Sequence, residues 1–277
     1  MPDCLAVMAD AWQPWLHQLP LAPAGSLVIL GVVYLVAAIL SGLSGFGFSA
    51  VGSLSLLVLP PQLGVALLMG LSLIGQLASY RSLWSELREA HGAAGAWRDG
   101  AWPYLLGGCM GLPAGLTVLD GVSACKLVTG LGFFLVSYSA WSLLKPAHLR
   151  LRATPPGPWA GLTVGALGGL VGGFSAFPGA VIVVWSGLIG WPKTRTRALT
   201  APFILGMQSL AFLSMCLLWP ERLGLTFWGL IALSTPLVLL GNRCGIAMYR
   251  RTGDVGYRRV TLAALGASGM GLLIKAV

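Results

Sequence analysis

Leu40-Ser-Gly-Leu-Ser-Gly-Phe-Gly-Phe-Ser49 places three glycines and three serines inside a run, residues 11–80, that contains no Asp, Glu, Lys or Arg. A second passage, Leu167-Gly-Gly-Leu-Val-Gly-Gly-Phe-Ser175, lies in the uncharged run 153–192. Glycine weakens a helix and lets other groups approach the backbone closely. The two passages therefore predict a pair of broken helices in an otherwise apolar chain.

The composition around these passages is that of a membrane protein. Of 277 residues, 9% are charged and 56% are hydrophobic, and the mean hydropathy is +0.83. Soluble globular chains carry about 25% charged residues, and disordered chains need low hydrophobicity, so both classes are excluded. Long unbroken runs of Leu, Ala, Gly and Val are typical of helices rather than of the short alternating segments of a membrane barrel. We predict an all-α integral membrane protein.

About ten hydrophobic segments fit into the runs without charge. Those at 47–60 and 176–190 have only about 14 or 15 residues, so neither comfortably crosses a core of about 30 Å as a helix, and whether they cross fully stays open. We interpret these two as broken or re-entrant helices, which leaves eight to ten spans. The predicted segments are 26–45, 47–60, 62–82, 101–119, 124–144, 157–174, 176–190, 197–219, 223–242 and 258–276.

The basic residues orient the chain. If the N-terminus lies outside, most Lys and Arg residues fall inside, in the loops 82–100, 145–156, 191–197 and 243–258. Cytoplasmic loops carry such an excess, so we expect a multi-pass protein of the cell (inner) membrane with both termini outside. The net charge of +9 follows from these loops and gives no reason to expect a nucleic-acid partner.

The glycine-rich passages belong to two related halves. Gly42, Leu43 and Gly45 align with Gly169, Leu170 and Gly172 at an offset of 127. Pro60, Ala66, Leu67 and Gln76 align with Pro192, Ala198, Leu199 and Gln208 at an offset of 132. Each half holds five segments, and because five is odd, the second half starts from the opposite side of the membrane. Such inverted repeats are common in secondary transporters.

The predicted organisation is an extramembrane lead at 1–24, a first transmembrane repeat at 25–145, a cytoplasmic linker at 146–156 and a second transmembrane repeat at 157–277.

Interrupted segments at matching places in two halves point to a transporter's substrate site. A half-helix N-terminus offers open N–H donors and partial positive charge, which suit an anion, and serine hydroxyls add donors. Two glutamine amides deep in apolar runs need partners, either in another helix or on a substrate. The predicted substrate-binding residues are Gly42, Ser44, Gly45, Gly47, Ser49, Gln76, Gly169, Gly172, Gly173, Ser175 and Gln208.

The remaining polar residues give no sign of catalysis or of a cofactor. All eight acids lie in predicted termini, loops or segment edges, so we expect no carboxylate at mid-membrane to carry a coupling proton. The five cysteines form no Cys-x-x-Cys pair and the three histidines lie far apart, so we expect no metal site. Without a cluster of catalytic groups, we expect no catalytic residue and no enzyme.

The paired motifs resemble the sulfite exporter TauE/SafE family of membrane proteins. The resemblance rests on Gly42-Leu-Ser-Gly-Phe-Gly47 followed by Pro60, and on Gly169-Leu-Val-Gly-Gly-Phe174 followed by Pro178 and Pro192. It covers nearly the whole chain as two related halves. It implies a secondary carrier for small sulfur-containing anions such as sulfite, thiosulfate or an organosulfonate.

The expected function is therefore transport of a small anion by alternating access, with that anion and the lipid bilayer as the partners. An anion channel and a carrier of an unrelated solute are alternatives that sequence does not separate from it. Arg195 and Arg197 attract anions to the cytoplasmic mouth or simply anchor the topology. The substrate, the direction of transport, the coupling ion and the oligomeric state stay open.

Overall fold

The computed structural model describes residues 23–91, 101–121, 124–144, 157–189, 191 and 193–253, with scattered positions between 256 and 273. These residues are 92% helical and contain no strand, as the apolar runs predict. The predicted linker 146–156 and nearly all of the N-terminal lead lie outside the described residues.

Nine α-helices follow one another along the described chain, and the described positions from 256 to 273 are also helical. A 3-10 turn, Ser53–Leu57, continues the short helix Phe48–Gly52, and another, Pro220–Leu223, precedes the helix Leu225–Arg251. The helices are α1 (Pro23–Ser44), α2 (Phe48–Gly52), α3 (Pro61–His91), α4 (Trp102–Gly121), α5 (Ala124–Leu144), α6 (Pro158–Ser175), α7 (Gly179–Ile189), α8 (Lys193–Leu218) and α9 (Leu225–Arg251).

Four stretches are long and apolar enough to cross a membrane: Gly25–Ser44, Gln62–Arg81, Arg195–Leu218 and Leu225–Arg251. Shorter apolar helices include Phe48–Leu57 and Gly179–Ile189, which correspond to the two short predicted segments. With rises of about 1.5 Å per α-helical and 2 Å per 3-10 residue, each is roughly 17 Å long. The prediction that these two segments form short apolar helices is confirmed.

Three helices extend at least four residues beyond their predicted segments. α3 continues to His91, α8 begins at Lys193, and α9 continues to Arg251. The added turns contain Arg, Glu, Leu and Lys, which are good helix formers. Absence of charge therefore marks the apolar part of each helix but not its ends.

Helix α1 packs against α9, and α4 packs against α6. These are the two most extensive helix contacts among the described residues. Both contacts depend on glycine. A methyl group at Gly111 of α4 would overlap the Ala166 carbonyl, and one at Gly165 or Gly169 of α6 would overlap α4 backbone. Small residues let helices approach closely in lipid, which explains much of the high glycine content.

The glycines of the α1–α9 contact have the same role. A methyl group at Gly42 would overlap the Asn242 carbonyl, and one at Gly245 would overlap the Ile39 carbonyl. Between these two helix pairs, α3 packs against α8. The buried stretch Val65–Met69 of α3 has at most 2% exposure per residue. Gln76 and Gln208 thus lie on the two helices between these pairs, α3 and α8.

Candidate functional site at the two helix breaks

The first break follows α1 and is built around one serine. The Ser44 hydroxyl donates to the Leu40 carbonyl (2.6 Å) and accepts from the backbone N–H of Gly47 (2.9 Å). Gly45 has φ +82°, a backbone conformation in which only glycine avoids a steric cost. The serine thus satisfies backbone groups that the end of the helix frees, and glycine permits the turn.

The second break, after α6, repeats this construction. The Ser175 hydroxyl donates to the Val171 carbonyl (2.6 Å), and the next residue, Ala176, has φ +57°. Its N–H donates to the Gly172 carbonyl (2.9 Å), which closes the end of α6. Among the described residues, Ala176 is the one non-glycine with positive φ.

The breaks correspond at a spacing that differs from the predicted alignment. Ser44 and Ser175 end their helices with the same bond, and α2 and α7 begin at Phe48 and Gly179. Both pairs lie 131 positions apart, from 44 to 175 and from 48 to 179, whereas the glycine pattern gives 127. The glycine alignment differs from the correspondence of the breaks by about one helical turn, because glycines spaced three or four apart still match after such a shift.

The two breaks meet in the interior of the protein. Phe46 and Phe177 stack with ring centroids 6.2 Å apart and an interplanar angle of 17°. The Ser49 hydroxyl donates to the Ala176 carbonyl across the same contact. Both breaks are almost completely buried, so the sequence-predicted interruptions form one common region.

A glutamine clamps each break. Gln76 Nε2 of α3 donates to the Gly45 carbonyl (2.7 Å), and Gln208 Nε2 of α8 donates to the Ala176 carbonyl (3.3 Å). Each side chain is 2% exposed. The matched glutamines therefore bind the carbonyl of the positive-φ residue at each break.

An arginine lies at the first break, where the sequence assigned a loop. Arg197 is 3% exposed, and its guanidinium donates to the carbonyls of Gly42 (2.8 Å) and Leu43 (3.1 Å). Its Cζ lies 4.2 Å from the centroid of the Tyr249 ring, within cation–π range. Arg195 is exposed instead and lies over Trp191, with Cζ 4.4 Å from the ring centroid.

One signal in the sequence distinguishes these two arginines. Arg197, Ala201, Ile204 and Gln208 are spaced so that they share one face of α8. All four are buried, with exposures of 3%, 7%, 2% and 2%. Arg197 is the first residue of the predicted segment 197–219, so this spacing alone would have placed it on the buried face.

Sequence reasoning also missed Asn242. This buried side chain donates through Nδ2 to the Gly75 carbonyl (2.9 Å) and accepts through Oδ1 from the Ser79 hydroxyl (2.9 Å). It joins α9 to α3 one turn from Gln76. An amide between two packing glycines, Gly241 and Gly245, is the signal that would have found it.

The predicted site residues fall into two groups. Ser44, Gly45, Gly47, Ser49, Gln76, Ser175 and Gln208 gather at the breaks. Gly42, Gly169 and Gly173 instead contact a neighbouring helix, and Gly172 lies against Pro178. The packing geometry accounts for these four glycines, and we leave them out of the proposed site.

Within the described ranges, no three His, Cys, Asp or Glu residues lie close enough to hold a metal ion. The expectation that no carboxylate lies at mid-membrane concerns mostly side chains outside the described set. Glu221 is the described one, and it is exposed in the turn before α9. The histidines also fall outside the described side chains.

Ala176 permits a test of backbone strain. A left-handed conformation costs an L-residue about 1–2 kcal/mol, so Ala176→Gly is expected to raise the thermal unfolding midpoint of the purified protein. Ala180→Gly, inside α7, is the control and is expected to lower it, because glycine costs about 0.5–1 kcal/mol within a helix. Equal shifts of both variants in the same direction would contradict the strain at Ala176.

The described fold is that of a polytopic helical membrane protein in which two buried helix breaks share one contact region. The profile of the family described as Sulfite exporter TauE/SafE matches residues 30–272, which include both breaks. No curated protein matches the chain. The protein belongs to the sulfite exporter TauE/SafE family, a family of membrane transporters.

Proposed function

We propose that the protein is a secondary carrier of a small sulfur-containing anion, such as sulfite, thiosulfate or an organosulfonate, with its substrate site at the two helix breaks. Family membership supports the class of substrate. The proposed substrate-binding residues are Ser44, Gly45, Gly47, Ser49, Gln76, Ser175 and Gln208, with Arg197 added.

The observation that carries the proposal is the buried arginine at the first break. Removing a charged group from water is costly, and Arg197 keeps its guanidinium against the end of α1 at 3% exposure. Its contact with Gly45 is close: a Cβ on that glycine would lie 3.3 Å from Arg197 Nε. A fixed positive charge beside a conformationally permissive backbone suits the binding of an oxyanion.

Transport by alternating access fits the way the breaks are held. Each break is closed by side-chain hydrogen bonds from another helix, from Gln76 in α3 and Gln208 in α8. Hydrogen bonds of this kind contribute about 0.5–1.5 kcal/mol each, so they are readily exchanged for bonds to a substrate. We propose that the halves are inverted repeats with ten segments in all and that both termini lie outside the inner membrane.

Uptake into proteoliposomes tests this proposal. Labelled sulfite, thiosulfate, sulfate and an organosulfonate are supplied separately, and saturable flux of at least one is expected. Ser49→Ala removes the hydroxyl at the contact between the breaks, and loss of one hydrogen bond of about 1 kcal/mol lowers flux about fivefold. Ser209→Ala, on the exposed side of α8, is expected to leave it unchanged.

Two results would contradict the proposal. Flux of none of these anions by correctly folded protein would remove the substrate class. Flux that rises linearly with concentration, without saturation, would favour an anion channel over a carrier. A carrier of an unrelated solute would require flux of a neutral or cationic compound instead.

A further inference from the structure

One acceptor at the breaks has no hydrogen-bond partner. In the described part of the chain, the buried side-chain atoms without a clear partner are the hydroxyls of Tyr34 and Ser55, which interact with each other, and Gln208 Oε1, which has none. A hydroxyl rotates and either donates or accepts, whereas an amide oxygen only accepts. The orphaned Gln208 oxygen therefore calls for a donor.

The orientation of the Gln208 amide is fixed by its surroundings. Its Nε2 donates to the Ala176 carbonyl at 3.3 Å, and that carbonyl also accepts from Ser49. Reversing the amide would place two acceptor oxygens against each other, since neither carries a proton. Oε1 therefore remains the open end of the amide.

Leaving such an acceptor unpaired in the interior is expensive. A buried group without a partner costs about 1–3 kcal/mol, and such groups are uncommon in native proteins. Gln76, which clamps the first break in the same way, has no oxygen among the orphaned atoms. The unpaired acceptor thus lies at the second break. A ligand that donates a hydrogen bond there would remove the free-energy cost of leaving the acceptor unpaired.

We propose that Gln208 accepts a hydrogen bond from an O–H group of the transported anion, so that the carrier selects oxyanions that retain a proton or carry a hydroxyl. This inference rests on the proposed function and narrows its substrate class. Hydrogensulfite and hydroxyalkylsulfonates have the required donor, whereas sulfate and thiosulfate at neutral pH do not.

A bound cation is the competing occupant, because helix C-termini such as that of α6 and unwound carbonyls coordinate Na⁺ in carriers. Two observations favour an O–H donor. An alkali cation needs several oxygen ligands, whereas a single orphaned oxygen matches a single donor. The neighbouring Ala176 carbonyl already accepts two hydrogen bonds, from Ser49 and Gln208.

The test compares hydrogensulfite with methanesulfinate at mildly acidic pH, where both are monoanions and differ by O–H against CH₃. Isethionate and ethanesulfonate form a second pair that differs by one hydroxyl. Each anion is tested as a competitor of flux in proteoliposomes and as a stabiliser of the purified full chain against heat. The wild type is expected to prefer the donor-bearing member about tenfold or more, since a site built to bond a hydroxyl rejects its apolar isostere.

Two variants identify the residue responsible. Gln208→Met keeps the length of the side chain but removes the acceptor, and it is expected to reduce the preference to less than about threefold. Gln76→Met removes the matching clamp at the first break and is expected to preserve the preference. If Gln208→Met fails to fold, the wild-type comparison of each isosteric pair still decides the inference.

The outcomes separate this inference from the proposed function. Selective binding without flux would support the inference and contradict the proposal that the protein is a carrier. Saturable flux with equal preference for both members, or flux of thiosulfate or sulfate alone, would overturn the inference and leave the carrier. A preference that Gln208→Met leaves intact, or flux and binding that depend on Na⁺ through Gln208, would also overturn it. Absence of both flux and binding would overturn both proposals.

Discussion

Replacing Arg197 with glutamine is expected to lower anion flux by about 10- to 100-fold. The guanidinium lies at the first break with 3% exposure, and a hydrogen bond between an anion and a charged group contributes about 1.5–3 kcal/mol. Arg197→Lys keeps the charge but loses the planar fork that binds two oxygens at once, so it is expected to retain part of the flux. The measurement is initial flux in proteoliposomes across a range of anion concentrations.

A purely structural role for Arg197 predicts a different pattern. The guanidinium also fastens the end of α1 through the carbonyls of Gly42 and Leu43, and loss of these bonds alone would reduce stability. In that case the maximal flux would fall with the amount of folded protein, while the anion concentration that gives half-maximal flux would not change. An unchanged half-saturation concentration would contradict a role in binding. Arg195→Gln is the control, because Arg195 is exposed, and its flux is expected to stay within about twofold of wild type.

Replacing Gly111 with valine is expected to prevent stable pairing of α4 with α6. A Cβ at this position would overlap the Ala166 carbonyl and lie 3.1 Å from Ala166 Cα, and backbone atoms cannot turn away as a side-chain tip can. Overpacking commonly costs about 1–3 kcal/mol; a clash with backbone is expected to reach or exceed the upper value. We expect a large loss of folded protein, measured as the monodisperse fraction after heating in detergent.

Gly130→Val is the matched control for Gly111→Val. It also places valine in an apolar helix, α5, but among the described residues no atom outside that helix's own backbone lies within 4 Å of the added Cβ. Its folded fraction is expected to remain close to that of wild type. Equal losses in the two variants would mean that valine itself, rather than the close approach of α4 and α6, causes the instability.

The helical class and the two short helices could be predicted because hydrophobic length is a property of sequence alone. A core of about 30 Å requires about 20 apolar residues, and Phe48–Leu57 and Gly179–Ile189 fall well short of that number. The clustering of Ser49, Gln76 and Gln208 was also foreseeable, since polar groups in apolar helices must pair inside the protein.

The roles of individual glycines could not be predicted from their positions in sequence. Gly45 permits a turn, while Gly42, three residues earlier, packs against Asn242. Both functions select glycine for the absence of a side chain, so composition cannot separate them. The decision depends on which helix lies opposite, and that is a property of the tertiary fold.

Arg197 was misassigned for a related reason. The positive-inside rule places basic residues in cytoplasmic loops, and three of them occur close together in Lys193–Arg197. A rule based on counts treats these residues alike. The structure separates them by their angle around α8, which exposes Arg195 and buries Arg197.

The pairing of α1 with α9 and of α4 with α6 also sets an order for the insertion and folding of the protein. α4 and α6 are close in the chain, so they can pair as soon as α6 has been inserted. α1 has to wait for α9, which begins at Leu225, and until then the glycine face that receives Asn242 is uncovered in the bilayer. A nascent chain that stops before Leu225 would hold a finished α4–α6 pair beside an orphaned first helix. We expect this truncated species to be the one that membrane quality-control proteases remove.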